Sequence, residues 1–232
     1  MGFQTISKER NIDIVMCIDA TNSMGPCIEN VRNHASKFYR DFVNLMVNDY
    51  ASQVDSLRLQ VIVFRDLECD TEALVKSDFF ELPADTALFE NYLKGIVPRG
   101  GGDVKESGLE ALYTAMTTEW EAKRYNDRQI IVLFTDADAI DFGEKSHRTG
   151  YPTLCDEKMI EDIWFGRMGN RNTMQERCKR LVIFAPAHSV YQTKLAKNLN
   201  RCFFSPVEPK KGMADVTFDD IMKITCASAS AL

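Results

Sequence analysis

Four short apolar runs rich in β-branched residues recur along the chain: IDIVMCI (12–18), LRLQVIVF (57–64), RQIIVLFT (128–135) and RLVIFA (180–185). A strand with one face in water alternates polar and apolar residues, whereas a strand covered on both faces has no polar side to show. Runs of this kind, each followed by a segment of helical period, predict a Rossmann-like, doubly wound α/β fold: a mostly parallel sheet with helices on both faces. The more polar ALVKSDFFEL (73–82) is expected as one short antiparallel edge strand.

The segments between the runs supply the helices. From Pro26 onward, Ile28, Val31, Ala35, Phe38, Phe42, Leu45 and Met46 repeat at three- and four-residue steps and predict one long helix with a single sheet-facing stripe. Asp85 or Thr86 should cap a helix reaching Val97, and further helices are expected over 106–120, 156–168, 191–198 and 218–229, with a strand at RCFFSPV (201–207). No repeat, low-complexity tract or linker divides the chain, so a single domain over residues 1–232 is expected, with its core at about 11–225.

Composition narrows the function. The formal net charge is −6 and the basic residues are scattered along the sequence, so no phosphate-seeking face, no nucleic-acid partner and no anionic membrane surface are expected. Seven cysteines form an odd set without a Cys-x-x-Cys pair, which argues against a disulfide framework or a zinc site. The first residues lack an apolar signal core, and no apolar stretch is long enough to span a bilayer. A cytoplasmic protein with reduced thiols is the expectation.

CIDATNSMGP (17–26) raises the functional question, because a buried strand ends there in a carboxylate, two hydroxyls and an amide. Asp, Thr, Asn and Ser cap helices, but one helix start needs only one cap. Asp19, with Thr21 and Ser23 two and four residues later, also suits oxygen ligation of a hard cation. In open parallel sheets, ligands sit beyond the carboxyl ends of the strands where strand order reverses. Asp136 ends the strand at 128–135, and the loop GGGDVKES (100–107) is positioned to rise over the same crevice, its glycines permitting close backbone approach. Asp103 and Glu106 are rival donors from that loop. Asp138 and Asp141 read as loop or capping residues, and His34, His147 and His188 as surface or packing residues.

Asp19-x-Thr21-x-Ser23, the glycine-rich loop with Asp103 and Glu106, and the pair Thr135-Asp136 together resemble the von Willebrand factor A domain and its metal-ion-dependent adhesion site, over roughly residues 11–225. The wording DATNSM with a GGGD loop is similar to the intracellular bacterial branch, and GMADVTFDDIMKITCASAS is similar to tellurite-resistance-type members encoded beside protein kinases and phosphatases. The resemblance implies a binding module rather than an enzyme. It implies Mg²⁺, with Mn²⁺ or Ca²⁺ as substitutes, held by Asp19, Thr21, Ser23, Asp136 and one of Asp103 or Glu106. It also implies a protein partner that presents a carboxylate, with a neighbouring kinase or phosphatase in a stress-response or defence setting. Thr21 and Ala137 depart from the commoner Ser and Gly of the family, and the second loop has a carboxylate where a Thr is usual.

The rival reading is a haloacid-dehalogenase-like phosphotransferase with Asp19 as nucleophile. That scheme needs a flap after the Asp and a Ser or Thr ending the second strand. Here Pro26 enters a helix directly and Phe64-Arg65 ends the second run. Neither glycine-rich nucleotide motif is present.

Overall fold

The structure is a computed structural model that describes residues 10–101, 105–140, 155–169 and 174–231. Strand β1 (Arg10–Asp19) lies at the centre of the sheet, parallel to β2 (Val54–Phe64) on one side and to β6 (Arg128–Phe134) on the other. Beyond β6 come β8 (Lys179–Pro186) and β9 (Cys202–Val207), also parallel. The order β2-β1-β6-β8-β9 places the reversal of chain direction across the sheet between β1 and β6, where Ile18 pairs with Phe134. This is the doubly wound arrangement expected from the apolar runs.

The edge segment 73–82 is divided into β3 (Leu74–Lys76) and β4 (Phe80–Leu82), both antiparallel to β2. Between the pairs Ile62–Lys76 and Leu59–Phe80, the edge holds one residue more than β2 does, so a bulge interrupts the strand. Ser77 fills the break: its amide donates to the Val61 carbonyl (2.9 Å) and its hydroxyl accepts from the Val61 amide (3.0 Å).

Alternate residues of each central strand enter different cores. Ile12, Ile14, Met16 and Ile18 join Ile130, Val132 and Phe134 under α1 (Gly25–His34), α2 (Phe38–Tyr50), α3 (Thr86–Gly95) and the last helix (Phe218–Ser230). Val15, Cys17, Ile131 and Leu133 face α4 (Gly108–Met116), α5 (Glu157–Trp164) and a π-helical turn at Tyr191–Ala196. The last helix is α6.

Two helix expectations are corrected. The long helix from Pro26 is two helices joined by a 3₁₀ turn at Ala35–Lys37, although Val31, Ala35, Phe38 and Phe42 keep a single buried stripe across the join. His34 occupies the join, its Nδ1 2.8 Å from the Asn30 carbonyl and its ring stacked on Phe218 at 4.3 Å. The helix predicted from Glu106 begins only at Gly108, because Lys105–Glu106 forms strand β5, bridged in parallel to β7 (Asp138–Ala139). At its other end Trp120 lies past the helix and donates from Nε1 to the Ala115 carbonyl (3.1 Å).

Some basic residues scattered along the sequence meet in three dimensions. Arg10, Arg128, Arg180 and Arg201 stand at or near the N-terminal ends of β1, β6, β8 and β9, and the parallel register gathers them at one end of the sheet. All seven cysteines are free thiols. Among the described residues, no helix is long and apolar enough to cross a membrane.

Candidate metal centre

Asp19 is the last residue of β1 and is fully buried. Its Oδ1 accepts from the Thr21 amide (2.9 Å) and the Thr21 hydroxyl (2.7 Å), and its Oδ2 accepts from the Thr135 hydroxyl (2.8 Å). Thr135 follows β6 directly, so the switch point brings this contact about. Ser23 donates to Asp136 Oδ1 (2.9 Å), and Thr21 Oγ1 lies 3.3 Å from Ser23 Oγ. Asp19, Thr21, Ser23, Thr135 and Asp136 thus form one continuous set of oxygen atoms above the β1–β6 seam.

None of these hydroxyls caps a helix. Thr21 precedes the 3₁₀ turn Asn22–Met24 and Met24 precedes α1, and neither makes a side-chain cap bond. The capping reading of CIDATNSMGP therefore leaves the hydroxyls unexplained. They point to the two carboxylates instead, while the N-terminal end of α1 adds a favourable dipole beside them.

Two buried carboxylates in one crevice are costly without a counter-charge. Burial above all pushes the Asp19 carboxyl up to about 6; the hydrogen bonds from Thr21 and Thr135 oppose that rise and the Asp136 charge adds to it. Asp136 is buried as well, and its Oδ2 accepts from the Gly212 amide (2.7 Å). Gly212 has φ +59°, and a Cβ there would collide with the Ser23 carbonyl oxygen. Such a donor set, all oxygen with two convergent carboxylates, fits a hard divalent cation. Mg²⁺ bound there would supply an electrophilic position for an outside oxygen. Among the described residues, no group of three His, Cys, Asp or Glu is arranged for a metal, so the hydroxyls of Thr21 and Ser23 are needed to complete a donor set.

Glu106 is buried on β5, with Oε1 3.8 Å from where a Cβ on Gly101 would lie, and that same position is 3.0 Å from Thr21 Cβ. The second loop therefore packs directly on the first, and Asn22 Nδ2 donates to the Gly100 carbonyl (3.0 Å) to hold them together. Asp103 and Asp141, with the loop residues His147, Arg148 and Tyr151, lie outside the described residues. Asp138 is turned aside: its Oδ1 accepts from the Ala139 amide (2.8 Å) and the Val190 amide (2.9 Å), joining the crevice to the π-helical turn.

Thr135 was named in the sequence as half of the Thr135-Asp136 pair, though without a donor role of its own. Two contributors were missed. Arg65 showed only as a charge directly after an apolar strand, which does not reveal its partners. It is buried and donates to the carbonyls of Ala20 (3.0 Å), Arg99 (3.2 Å) and Val97 (2.9 Å), locking the second loop against the end of β1. Gly212 gave no signal, since nothing local relates it to Asp136.

Fold and crevice together define a doubly wound α/β protein whose oxygen donors converge at the sheet's switch point. The family model for the von Willebrand factor A domain matches residues 13–197, and the chain belongs to that family. A search of the curated proteins finds no match. Similar solved structures include the pilus adhesin SpaC from Lactobacillus rhamnosus GG, with a TM-score of 0.55 and 9% identity over 95% of this chain and 31% of that one. Proximal thread matrix protein 1 from the mussel byssus gives 0.51 and 13% over 96% and 47%. The chain spans less than half the length of either, and at such identity the likeness establishes the fold alone. Family membership makes the chain a protein-interaction module in the general sense.

Proposed function

We propose that the chain is a divalent-cation-dependent docking module that engages an acidic group on a protein partner through the crevice at Asp19 and Asp136. The observation that carries this reading is the direction of the hydroxyls: Thr21 and Ser23 serve the two buried carboxylates and not the helix behind them. In this reading Thr21, Ser23, Asp19 and Asp136 hold Mg²⁺, or Mn²⁺ or Ca²⁺ in its place, directly or through water. Glu106 or Asp103 contributes from the second loop. The free thiols accord with a cytoplasmic setting, and the resemblance of the chain's last residues to tellurite-resistance-type members favours a partner from a kinase or phosphatase system.

The test is a melting curve with Mg²⁺ and with EDTA. A cation bound only to the folded state raises the melting temperature by mass action, and Asp19→Ala removes the rise. An equal rise in the variant places the cation elsewhere. The non-enzymatic reading rests on Asp19 itself: both oxygens already accept hydrogen bonds and the side chain is fully buried, a poor state for in-line attack on a phosphoester. Turnover of a generic phosphate ester in Mg²⁺ that is lost in Asp19→Asn would replace it with the phosphotransferase.

A further inference from the structure

The end of the sheet opposite the crevice concentrates cations with few acids to answer them. Arg10, Arg128 and Arg180 are almost wholly buried. Among the described residues they donate to backbone carbonyls: Arg10 to Ala229 and Ser230, Arg128 to Asn126, Asp127 and Ala231, Arg180 to Arg177, Lys179 and Ala231. The bonds to Ala229, Ser230 and Ala231 cap the C-terminal end of α6, where positive charge is favourable, but a carbonyl dipole does not neutralise a guanidinium. Nε of Arg10 and Nε of Arg128 are buried without a hydrogen-bond partner among the described residues. Of the nearby acids, one answers Arg201 at the edge of the cluster and the other is turned away from it. Glu176 accepts from Arg201 (2.8 Å) and from Lys179, and Asp127 accepts from Arg124 (3.1 Å) and the Asn11 amide (3.0 Å).

Beside this cluster a cavity of about 290 Å³ opens to solvent, walled by Tyr125, Asn126, Arg128, Arg177 and Arg201. Three of the five walls are arginines and none is an acid. Arg177 lies over the Tyr125 ring at 5.3 Å, which holds its guanidinium at the rim. Burial, followed by the charges of neighbouring arginines, pushes Arg128 and Arg180 down to about 10.

We propose that this cavity is an anion site for a phosphate monoester. A guanidinium presents a planar fork of donors that matches two oxygens of an oxyanion; the exposed forks of Arg177 and Arg201, with Arg128 adding charge from behind its carbonyl bonds, suit a tetrahedral group better than a planar carboxylate. The charge count agrees: with Arg201 paired to Glu176, two wall cations, Arg128 and Arg177, are left without an acid among the described residues, and a dianion answers both where a single carboxylate answers one. The volume admits a phosphate with a small attached group, and the exposed Tyr125 ring offers that group an apolar surface.

The experiment is calorimetric titration of the whole chain in EDTA, which silences any cation-dependent acid binding at the other end. The probes are inorganic phosphate, phenyl phosphate, and a short phosphoserine peptide beside its unphosphorylated form, all at constant ionic strength. Saturable binding of the phosphate probes is expected, weakened about tenfold or more by Arg177→Gln and by Arg201→Gln, as suits loss of a charge-assisted hydrogen bond. Both arginines are exposed, so folding is preserved in the variants. Phenyl phosphate or the peptide binding more tightly than inorganic phosphate assigns the site to an esterified group, and equal affinities assign it to free phosphate. No saturable binding of any phosphate probe, or binding unaltered in both variants, overturns the site and leaves the arginines as a clamp on α6.

Discussion

Gly212 shows how one residue constrains the crevice from far away in the chain. Its amide holds Asp136 Oδ2 and its positive φ leaves no room for a Cβ against Ser23. Gly212→Ala is expected to cost about 1–3 kcal/mol through backbone strain and to blunt the Mg²⁺-dependent rise in melting temperature, because the Ser23–Asp136 contact must shift. A full rise in that variant separates Gly212 from the cation. Asp19 yields a pH prediction for the metal-free protein. Its folded pKa, about 6, lies above the ordinary 3.8, so the folded state holds the proton more tightly. Its contribution is therefore favourable below about pH 4 and is lost as pH rises through 6. In EDTA, the loss of stability over that window should be absent in Asp19→Asn. At this scale the strand-end oxygens were legible because Asp19, Thr21, Ser23 and Asp136 stand at visible run boundaries. Gly212 and the donor role of Arg65 were not, since both depend on loops brought together by the whole fold.

Elements obey their local patterns except where a side chain offers the backbone another partner. The apolar runs became the central strands, with β1 and β2 extending beyond them, because nothing interrupts their periodicity. The edge strand broke at Ser77, whose hydroxyl substitutes for a ladder group, and the helix expected at Glu106 gave way to the β5–β7 bridge, which only long-range pairing creates. A buried ion pair fixes another element boundary. Arg58 on β2 grips Asp13 on β1 through two 2.8 Å bonds, and Asp13 Oδ2 also accepts from the amides of Glu121 (2.8 Å) and Ala122 (2.9 Å), pinning the loop after α4. Arg58 Nη1 also pairs with the exposed Glu121 carboxylate (2.8 Å), so Asp13→Ala leaves the guanidinium with that solvated partner and should cost about 3 kcal/mol in urea unfolding, while adding Arg58→Met should recover much of that loss. Equal stability of Asp13→Ala and the native chain would show that Glu121 alone suffices for Arg58.

At the scale of the molecule, helices and sheet bury two cores that do not involve the crevice, so occupancy of the crevice and folding are separable. An acidic partner, once identified, is expected to bind in Mg²⁺, to bind weakly in EDTA, and to bind weakly to Asp136→Ala in Mg²⁺, with circular dichroism showing all three forms folded. Equal affinity in the three conditions would sink the cation-bridged reading. Parallel strands also impose a polarity. Asp19 and Asp136 lie at the carboxyl ends of β1 and β6 and the arginines at their amino ends, separated by a strand length of roughly 25 Å. Carboxylates at one pole and guanidinium groups at the other contribute a dipole along the strand axis of the metal-free chain, superimposed on its net charge of −6. An approaching anionic molecule is turned toward the arginine pole before contact, so encounter there should be fast at low ionic strength and slow as salt shortens the reach of the field. A cation seated between Asp19 and Asp136 reduces that dipole, so occupancy at one pole alters how the whole molecule turns in the field of another.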